Sequence, residues 1–157
     1  MPETILCLLL PLISMQHPPA RPVHELDAEL VHLGGYIVHD PREVIEEEQL
    51  CERSAHLGEV FLKRMNKMKE EHPIVGDARG KGCLLAIELV KDKDTKEPFE
   101  EAGKLVYQRA FSKGLAWVPA GHILRLSPPL IMDDDLALKG LDIIDEAIGE
   151  VEKELGY

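Results

Sequence analysis

Apolar residues recur at helical spacing in the stretch that follows Pro41. Steps of seven, four, four and three residues connect Leu50, Leu57, Phe61, Met65 and Met68. This spacing places the five side chains on one face of a long amphipathic helix, which we predict over residues 42–71. Pro41 suits the first helical turn, Asp40 suits the N-cap, and Pro73 ends the helix.

The apolar stretches become shorter after this helix. They predict a short strand from residue 74 to Gly80, a largely buried strand at 83–90, a helix at about 99–113, and short strands at 115–118 and 123–127. Gly114 is suited to end the middle helix. Three aspartates at 133–135 open a last helix at its positive end. Its apolar stripe consists of Leu141, Ile144, Ile148, Val151 and Leu155.

The predicted order of elements is helix, strand, strand, helix, strand, strand, helix. About four short strands accompanied by three helices are typical of an α+β arrangement with the helices on one face. We therefore predict a two-layer α+β domain over residues 42–157. Its short, mostly antiparallel sheet of about four strands is covered on one face by the three helices.

Residues 1–41 differ from the rest of the chain in composition. They hold six of the eleven prolines and four of the seven histidines, and residues 5–15 (ILCLLLPLISM) form an uninterrupted uncharged run. That run is too short to span a bilayer, and it lacks the basic flank and the clear cleavage site of a secretion signal. We expect an apolar arm that packs on another surface, or a disordered tail.

Composition and charge exclude several functional classes. The net charge of −11 argues against a non-specific grip on nucleic acid and against docking to an anionic membrane. The cysteines at 7, 51 and 83 are odd in number and far apart, which favours a reduced, cytoplasmic protein over a disulfide framework. The four N-terminal histidines lack the spacing that would place ligands on one helix face, so we predict no metal site.

Arg125 is the residue with the most suggestive chemistry. It lies in an otherwise apolar strand and shares a face with Ile123 and Ser127. A guanidinium there needs a partner or solvent, so it either forms an internal ion pair, faces water, or binds an anionic substrate. Arg79 is a weaker candidate for the same role. Gly80 and Gly82 precede a strand instead of opening a helix, so they predict a tight turn or a close backbone approach, not a phosphate loop.

Several motifs together resemble the C-terminal part of class III pyridoxal-phosphate-dependent aminotransferases. They are VIEEEQL at 44–50, HPIVGDARGKG at 72–82, AIELVKD at 86–92, GLA at 114–116 and ILRLSPPL at 123–130, followed by the Asp-rich closing helix. The resemblance covers about residues 42–151, and residues 1–41 do not take part in it.

The resemblance implies a fold-type I enzyme, usually a homodimer, that moves an amino group from an amino acid or ω-amine to a 2-oxo acid. In that family the arginine at the position of Arg125 commonly holds a substrate carboxylate, whereas Arg79 falls in a turn where a structural role is more usual. Racemases and aminomutases share this small domain, so the resemblance does not select one reaction.

The resemblance also implies a pyridoxal phosphate cofactor that this chain is not expected to bind alone. Such an enzyme needs a lysine for a Schiff base, an acidic partner for the pyridinium nitrogen and a phosphate-binding loop, all carried on a large domain. The first lysine of this chain is Lys63, already within the predicted long helix. We therefore predict no catalytic, cofactor-binding or metal-binding residue, and we expect a fragment that pairs with a large domain or with itself. A non-catalytic binding or dimerisation module is the alternative.

Overall fold

A computed structural model describes residues 41–157. The elements are α1 (Pro41–Glu47), α2 (Leu50–Glu71), β1 (Val75–Lys81), β2 (Leu84–Leu89), α3 (Glu100–Ser112), β3 (Pro119–Ala120), β4 (Ile123–Leu126) and α4 (Asp134–Leu155). The predictions made for Asp40, for the apolar run at 5–15 and for the N-terminal histidines and Cys7 lie outside the described residues.

The strands form one antiparallel sheet in the order β1-β2-β4-β3. Its central strand pair aligns Leu85 with Leu126 and Ile87 with Leu124, and these four side chains are buried. The predicted α+β class with a short antiparallel sheet is confirmed. Within residues 41–157 there are four helices instead of three, because the first predicted helix is divided.

The helices cover one face of the sheet. The apolar residues predicted on α2 and α4 lie in one continuous core with those of the inner sheet face, except that Leu50 and Leu155 are only half-buried. Successive strand residues point to opposite faces, so on β2 and β4 the residues between these core positions lie on the outer face, where none is buried. No helix in the described part of the chain has the length and apolarity needed to cross a bilayer.

The long predicted helix breaks at Gln49. This residue has left-handed backbone angles (φ 50°, ψ 43°), which separate α1 from α2. The seven residues of α1 bury no side chain, so no packing force holds this stretch in line with α2. The helical spacing at 50–68 therefore located α2 correctly and overextended it at the N-terminal end.

The strand predicted at 115–118 is the second difference. The two-residue strand β3 lies just after it, and residues 115–118 form no continuous strand. Leu115 is held by a hydrogen bond from its backbone N–H to the carbonyl of Ala110, which closes the end of α3. Trp117 packs edge-on against Tyr107, with 5.2 Å between ring centroids. Leu115 and Trp117 are therefore buried because they contact α3, although residues 115–118 do not form a ladder with a neighbouring strand.

The turn between β1 and β2 requires a glycine of its own, and it also requires a glycine on the helix that faces it. Gly82 has a φ of +55°, in the left-handed region. A Cβ at Gly58 on α2 would lie 2.7 Å from the Cα of Gly82, so α2 and the turn approach backbone to backbone. Both the tight turn and the close approach expected from Gly80-Lys-Gly82 are present. The Cys83 backbone N–H donates to Ser54 Oγ at 3.1 Å and fixes this contact.

A polar cluster ties the end of α2 to α4. His72 Nδ1 lies 2.7 Å from Glu152 Oε2, and its Nε2 lies 3.0 Å from Asp145 Oδ1. Arg64 donates to the other oxygen of Asp145 at 2.9 Å. Burial of Asp145 is outweighed by the hydrogen bonds from His72 and Arg64, which lower the pKa of this carboxyl. The cluster fixes the helix layer that supports the sheet.

Candidate functional site

The two arginines singled out in the sequence lie in one row across the sheet. Arg79 on β1 and Arg125 on β4 are both aligned with Ala86 on the strand between them. Residues aligned across neighbouring strands point to the same face, so both side chains leave the outer face. Their backbones are two strand spacings apart, or about 9–10 Å. The sequence did not indicate that the two arginines would be this close.

Arg79 is already paired. Its Nη1 donates to Glu88 Oε2 at 2.5 Å and to Asp77 Oδ2 at 3.0 Å. These two carboxylates, Glu88 first, raise the pKa of the Arg79 guanidinium. The other oxygen of Glu88 lies 3.8 Å from His122 Nε2. Arg79 therefore has the arrangement of a residue that holds β1 against β2.

Asp77 connects Arg79 to Lys69, and these residues form one ion-pair group together with Glu88. Lys69 on α2 donates to Asp77 Oδ1 at 2.9 Å, while Arg79 contacts the other oxygen. The hydrogen bond from Lys69 is the largest cause that lowers the pKa of Asp77 to about 2, with that from Arg79 assisting against partial burial. The group thus links helix α2 to the outer face of the sheet.

Arg125 has no such neighbours. Its side chain is exposed, and no ion pair within residues 41–157 includes it. Of the readings left open by the sequence, the internal ion pair is not observed, while exposure to solvent and availability for an anion are both compatible with this position. A free guanidinium offers a planar, bidentate donor set that matches a carboxylate.

Arg125 also borders a cleft, which we call the β4 cleft. It has a volume of about 560 Å³ and lies between the end of β4, the segment before β3 and the first half of α4. Its lining consists of Phe61, Leu115, Ala116, Trp117, Val118, Arg125, Leu126, Ser127, Pro128, Pro129, Met132, Leu136, Ala137, Gly140, Leu141 and Ile144. Arg125 is the one charged residue among these described lining residues.

The β4 cleft was missed in the sequence because its walls are not one motif. Pro128 and Pro129 lack a backbone donor and end the ladder of β4, which leaves room between this strand and α4. Residues 115–118, which were expected to form a strand, line this space without forming one. The one available signal was the proline pair directly after an apolar strand.

The lining of the β4 cleft does not by itself fit pyridoxal phosphate. It contains no lysine for an imine and no carboxylate for a pyridinium nitrogen among residues 41–157. An apolar wall with one free guanidinium instead fits an organic anion that carries a carboxylate. No group of three or more potential metal ligands occurs within the described range.

Comparisons with known proteins identify the family of this chain. The family model described as aminotransferase class-III matches residues 36–148. The leucine/methionine racemase of Thermococcus litoralis is 44% identical over 114 residues, which is 71% of this chain and 25% of that protein. A probable 4-aminobutyrate aminotransferase of Bacillus subtilis is 37% identical over 109 residues, or 68% of this chain and 25% of the relative.

The fold is also found in solved structures. The ω-transaminase from Pseudomonas jessenii, in complex with PMP, matches with a TM-score of 0.68 and 28% identity. The match covers 73% of this chain and 26% of the transaminase. This chain therefore spans about a quarter of the length of the proteins that it matches.

Proposed function

Because this chain belongs to the class-III aminotransferase family, we propose that residues 42–157 serve as the small domain of a pyridoxal-phosphate-dependent enzyme. The proposed reaction transfers an amino group from an amino acid or ω-amine to a 2-oxo acid. The observation that supports a role in substrate binding is Arg125, which lies beside an apolar cleft and has no ion pair within residues 41–157. Its guanidinium would hold the substrate carboxylate by two charge-assisted hydrogen bonds.

The cofactor chemistry has to come from elsewhere. Pyridoxal phosphate supplies the electron sink for amino-group transfer when it is bound, and its lysine and phosphate site would lie outside residues 41–157. We propose that a large-domain partner supplies them, and that the 157-residue chain alone has no transaminase activity. A cytoplasmic location is part of this proposal and is supported by the free Cys51 and Cys83.

A chimeric enzyme tests the role of Arg125. Residues 42–148 of this chain would replace the matching quarter of the Bacillus subtilis relative. In this active background, Arg125→Gln is expected to raise KM for an amino acid by about 10- to 100-fold, since a hydrogen bond to a charged group contributes roughly 1.5–3 kcal/mol. KM for an amine that lacks a carboxylate is expected to stay unchanged.

The matched control for this chimera is Arg109→Gln. Arg109 is on α3, pairs with Glu154 at 2.7 Å, and does not line the β4 cleft. The Arg109→Gln variant should leave KM for the amino acid and KM for the amine unchanged. Equal changes for the amine and the amino acid in the Arg125 variant would refute carboxylate binding and indicate a structural role.

The prediction that the chain alone is inactive has a direct test. Purified 157-residue protein would be mixed with pyridoxal phosphate and then treated with borohydride. We expect no stoichiometric attachment to a single lysine and no turnover of an amino acid with a 2-oxo acid. If one lysine is specifically modified and the protein turns over an amino acid, the proposal that the cofactor lysine lies outside this chain would be contradicted.

Racemisation is the second candidate, because some of the relatives carry racemase or epimerase names. The same chimera distinguishes the two reactions. A transaminase background consumes a 2-oxo acid, whereas a racemase interconverts the two enantiomers of an amino acid without an acceptor. Chiral chromatography of leucine incubated without any 2-oxo acid measures the second activity.

A non-catalytic binding or dimerisation role is the third candidate, and the apolar β4 cleft is the observation in its favour. Sedimentation velocity over a range of protein concentrations tests self-association. A monomer at every concentration would remove dimerisation from the candidates, while the chimera experiment would still decide the role of Arg125.

A further inference from the structure

Trp117 carries a hydrogen-bond donor that has no partner within residues 41–157. Its side chain is more than nine-tenths buried, with 7% of its surface exposed, and it packs against the ring of Tyr107. No hydrogen bond connects its indole Nε1–H to another residue in this range. The indole nitrogen can only donate, and a buried donor without an acceptor is unfavourable. The position of Trp117 therefore favours an acceptor that comes from outside residues 41–157.

The indole nitrogen of Trp117 can be reached through the β4 cleft. Within the described part of the chain, it is not one of the fully enclosed polar atoms that lack a partner. The nitrogen therefore has accessible surface, although most of the ring is buried. Because Trp117 lines the β4 cleft, this cleft is the space from which a ligand can meet the nitrogen.

The two donors of the β4 cleft, Arg125 and Trp117, differ in depth. Arg125 is exposed, whereas Trp117 is almost fully buried. A carboxylate on Arg125 therefore lies towards solvent, and the remainder of the molecule extends along apolar side chains such as Leu126 and Met132. A ligand that satisfies both donors has a carboxylate at one end and an uncharged acceptor further along its chain.

We propose that Trp117 determines substrate specificity in the β4 cleft by donating a hydrogen bond from its indole N–H to an oxygen in the substrate side chain. This role rests on the proposed function, in which Arg125 binds the carboxylate. The substrate class is an amino acid or 2-oxo acid whose uncharged side chain contains an ether, carbonyl or amide oxygen. A hydrocarbon side chain suits the apolar lining but leaves the donor unpaired, and a charged side chain would lose its hydration there.

The indole donor can be observed directly, because Trp117 is the single tryptophan of the sequence. The full 157-residue chain therefore gives one indole signal in a ¹H–¹⁵N correlation spectrum. The probes are carboxylates that end in a methoxy group, each paired with the straight-chain carboxylate in which a methylene replaces the oxygen. Several chain lengths are used to match the distance between Arg125 and Trp117. We expect the methoxy compounds to move the indole proton downfield and slow its exchange with water, and the hydrocarbons to do neither.

The affinities of the paired ligands provide a second measurement. The methoxy carboxylate of the best length is expected to bind about two- to tenfold more tightly than its hydrocarbon counterpart, the range for one neutral hydrogen bond. Trp117→Phe keeps an aromatic ring and removes the donor, so both ligands should then bind equally, as followed by backbone amide signals. The matched control is Tyr107→Phe. It removes a hydroxyl from the ring that packs against Trp117, outside the cleft lining, and should preserve the difference.

Three results would overturn this role of Trp117. The first is an equal response of the indole signal to both ligands of every pair. The second is the absence of binding by all of the ligands. The third is a preference for oxygen that persists in Trp117→Phe while the backbone spectrum shows a folded chain. If that variant does not fold, the indole signal of the parent chain decides.

Arg125→Gln distinguishes the role of Trp117 from that of Arg125. This variant should weaken the methoxy and the hydrocarbon ligand by the same factor. Unchanged affinity for both ligands in Arg125→Gln would refute carboxylate binding and, with it, the proposed function. If Arg125→Gln weakens binding but the parent chain shows no preference for oxygen, the role of Trp117 alone is refuted.

Discussion

Arg79 and Arg125 lie on either side of Ala86 in the same cross-strand row, and they differ in their surroundings. Arg79 contacts two carboxylates on β1 and β2, Asp77 and Glu88. Arg125 is exposed beside the β4 cleft, with no ion pair to the described part of the chain. Residue type, strand position and sheet face are the same for both. What separates a structural arginine from an available one is the presence of neighbouring acids.

The two faces of the sheet also differ in burial. The inner face carries Leu85, Ile87, Leu124 and Leu126, all buried against the helices. The outer face carries charged residues and the exposed Leu84. Stability is expected to depend on the inner face, while the outer face carries the groups available for a ligand. The predictions below test this division.

The largest effect is expected on the inner face. Ile87→Ala removes a fully buried side chain from the centre of the core and should lower the free energy of unfolding by about 2–5 kcal/mol. The measurement is urea unfolding of the 157-residue chain, followed by Trp117 fluorescence and circular dichroism.

Leu84→Ala is the control on the same strand. Leu84 is 67% exposed on the outer face, so its truncation should change the unfolding free energy by less than about 0.5 kcal/mol. Similar losses for both variants would mean that the outer face is also covered, and the division between the faces would be wrong.

Substitutions of the two arginines are expected to differ in their effect on stability by less than Ile87→Ala and Leu84→Ala do. Arg79→Gln leaves Asp77 and Glu88 without their shared partner and should lower stability by about 1 kcal/mol, the upper range for half-exposed ion pairs. Arg125→Gln should leave stability within about 0.5 kcal/mol of the parent chain. A marked loss in the Arg125 variant would show that Arg125 also stabilises the fold, and the contrast between the arginines would disappear.

The sequence predicted the class of fold and the core because both depend on local spacing. The steps of three and four on α4 correspond to buried residues at 141, 144, 148 and 151. The break at Gln49 could not be predicted this way, because α1 is charged and buries nothing, so apolar spacing carries no information there. The predicted strand at 115–118 failed for another reason, since alternating burial there arises from contacts with α3.

The candidate site was predictable only in part. The apolar neighbours of Arg125 in the sequence singled out this guanidinium, and Arg125 lies on β4, within the strand predicted at 123–127. Its difference from Arg79 depends on the register of β1 with β2, which brings Asp77 opposite Glu88 after a bulge between Val75 and Asp77. Register is a property of the folded sheet, so no local pattern could give it.

The smallest expected effect is a pH dependence of the ion-pair group at Arg79. Asp77 has a pKa of about 2 in the folded chain, below its ordinary value of 3.8, chiefly because Lys69 donates a hydrogen bond to it. A carboxyl with a lowered folded pKa stabilises the fold above the ordinary value, and this contribution is lost as the pH falls from about 4 to 2. Lys69→Gln should therefore lower stability by roughly 0.5 kcal/mol at neutral pH, since the pair is partly exposed.

The difference between Lys69→Gln and the parent chain should narrow as the pH falls from 4 to 2. Lys67→Gln is the control, because Lys67 pairs with Glu71 at 3.4 Å on the same helix without contacting Asp77. Urea unfolding at pH 7, 5, 4 and 3, combined with Asp77→Asn in a double-mutant cycle, isolates the pair from the other carboxylates that titrate in this range. A difference that stays constant down to pH 3 would show that Lys69 acts by packing its alkyl chain.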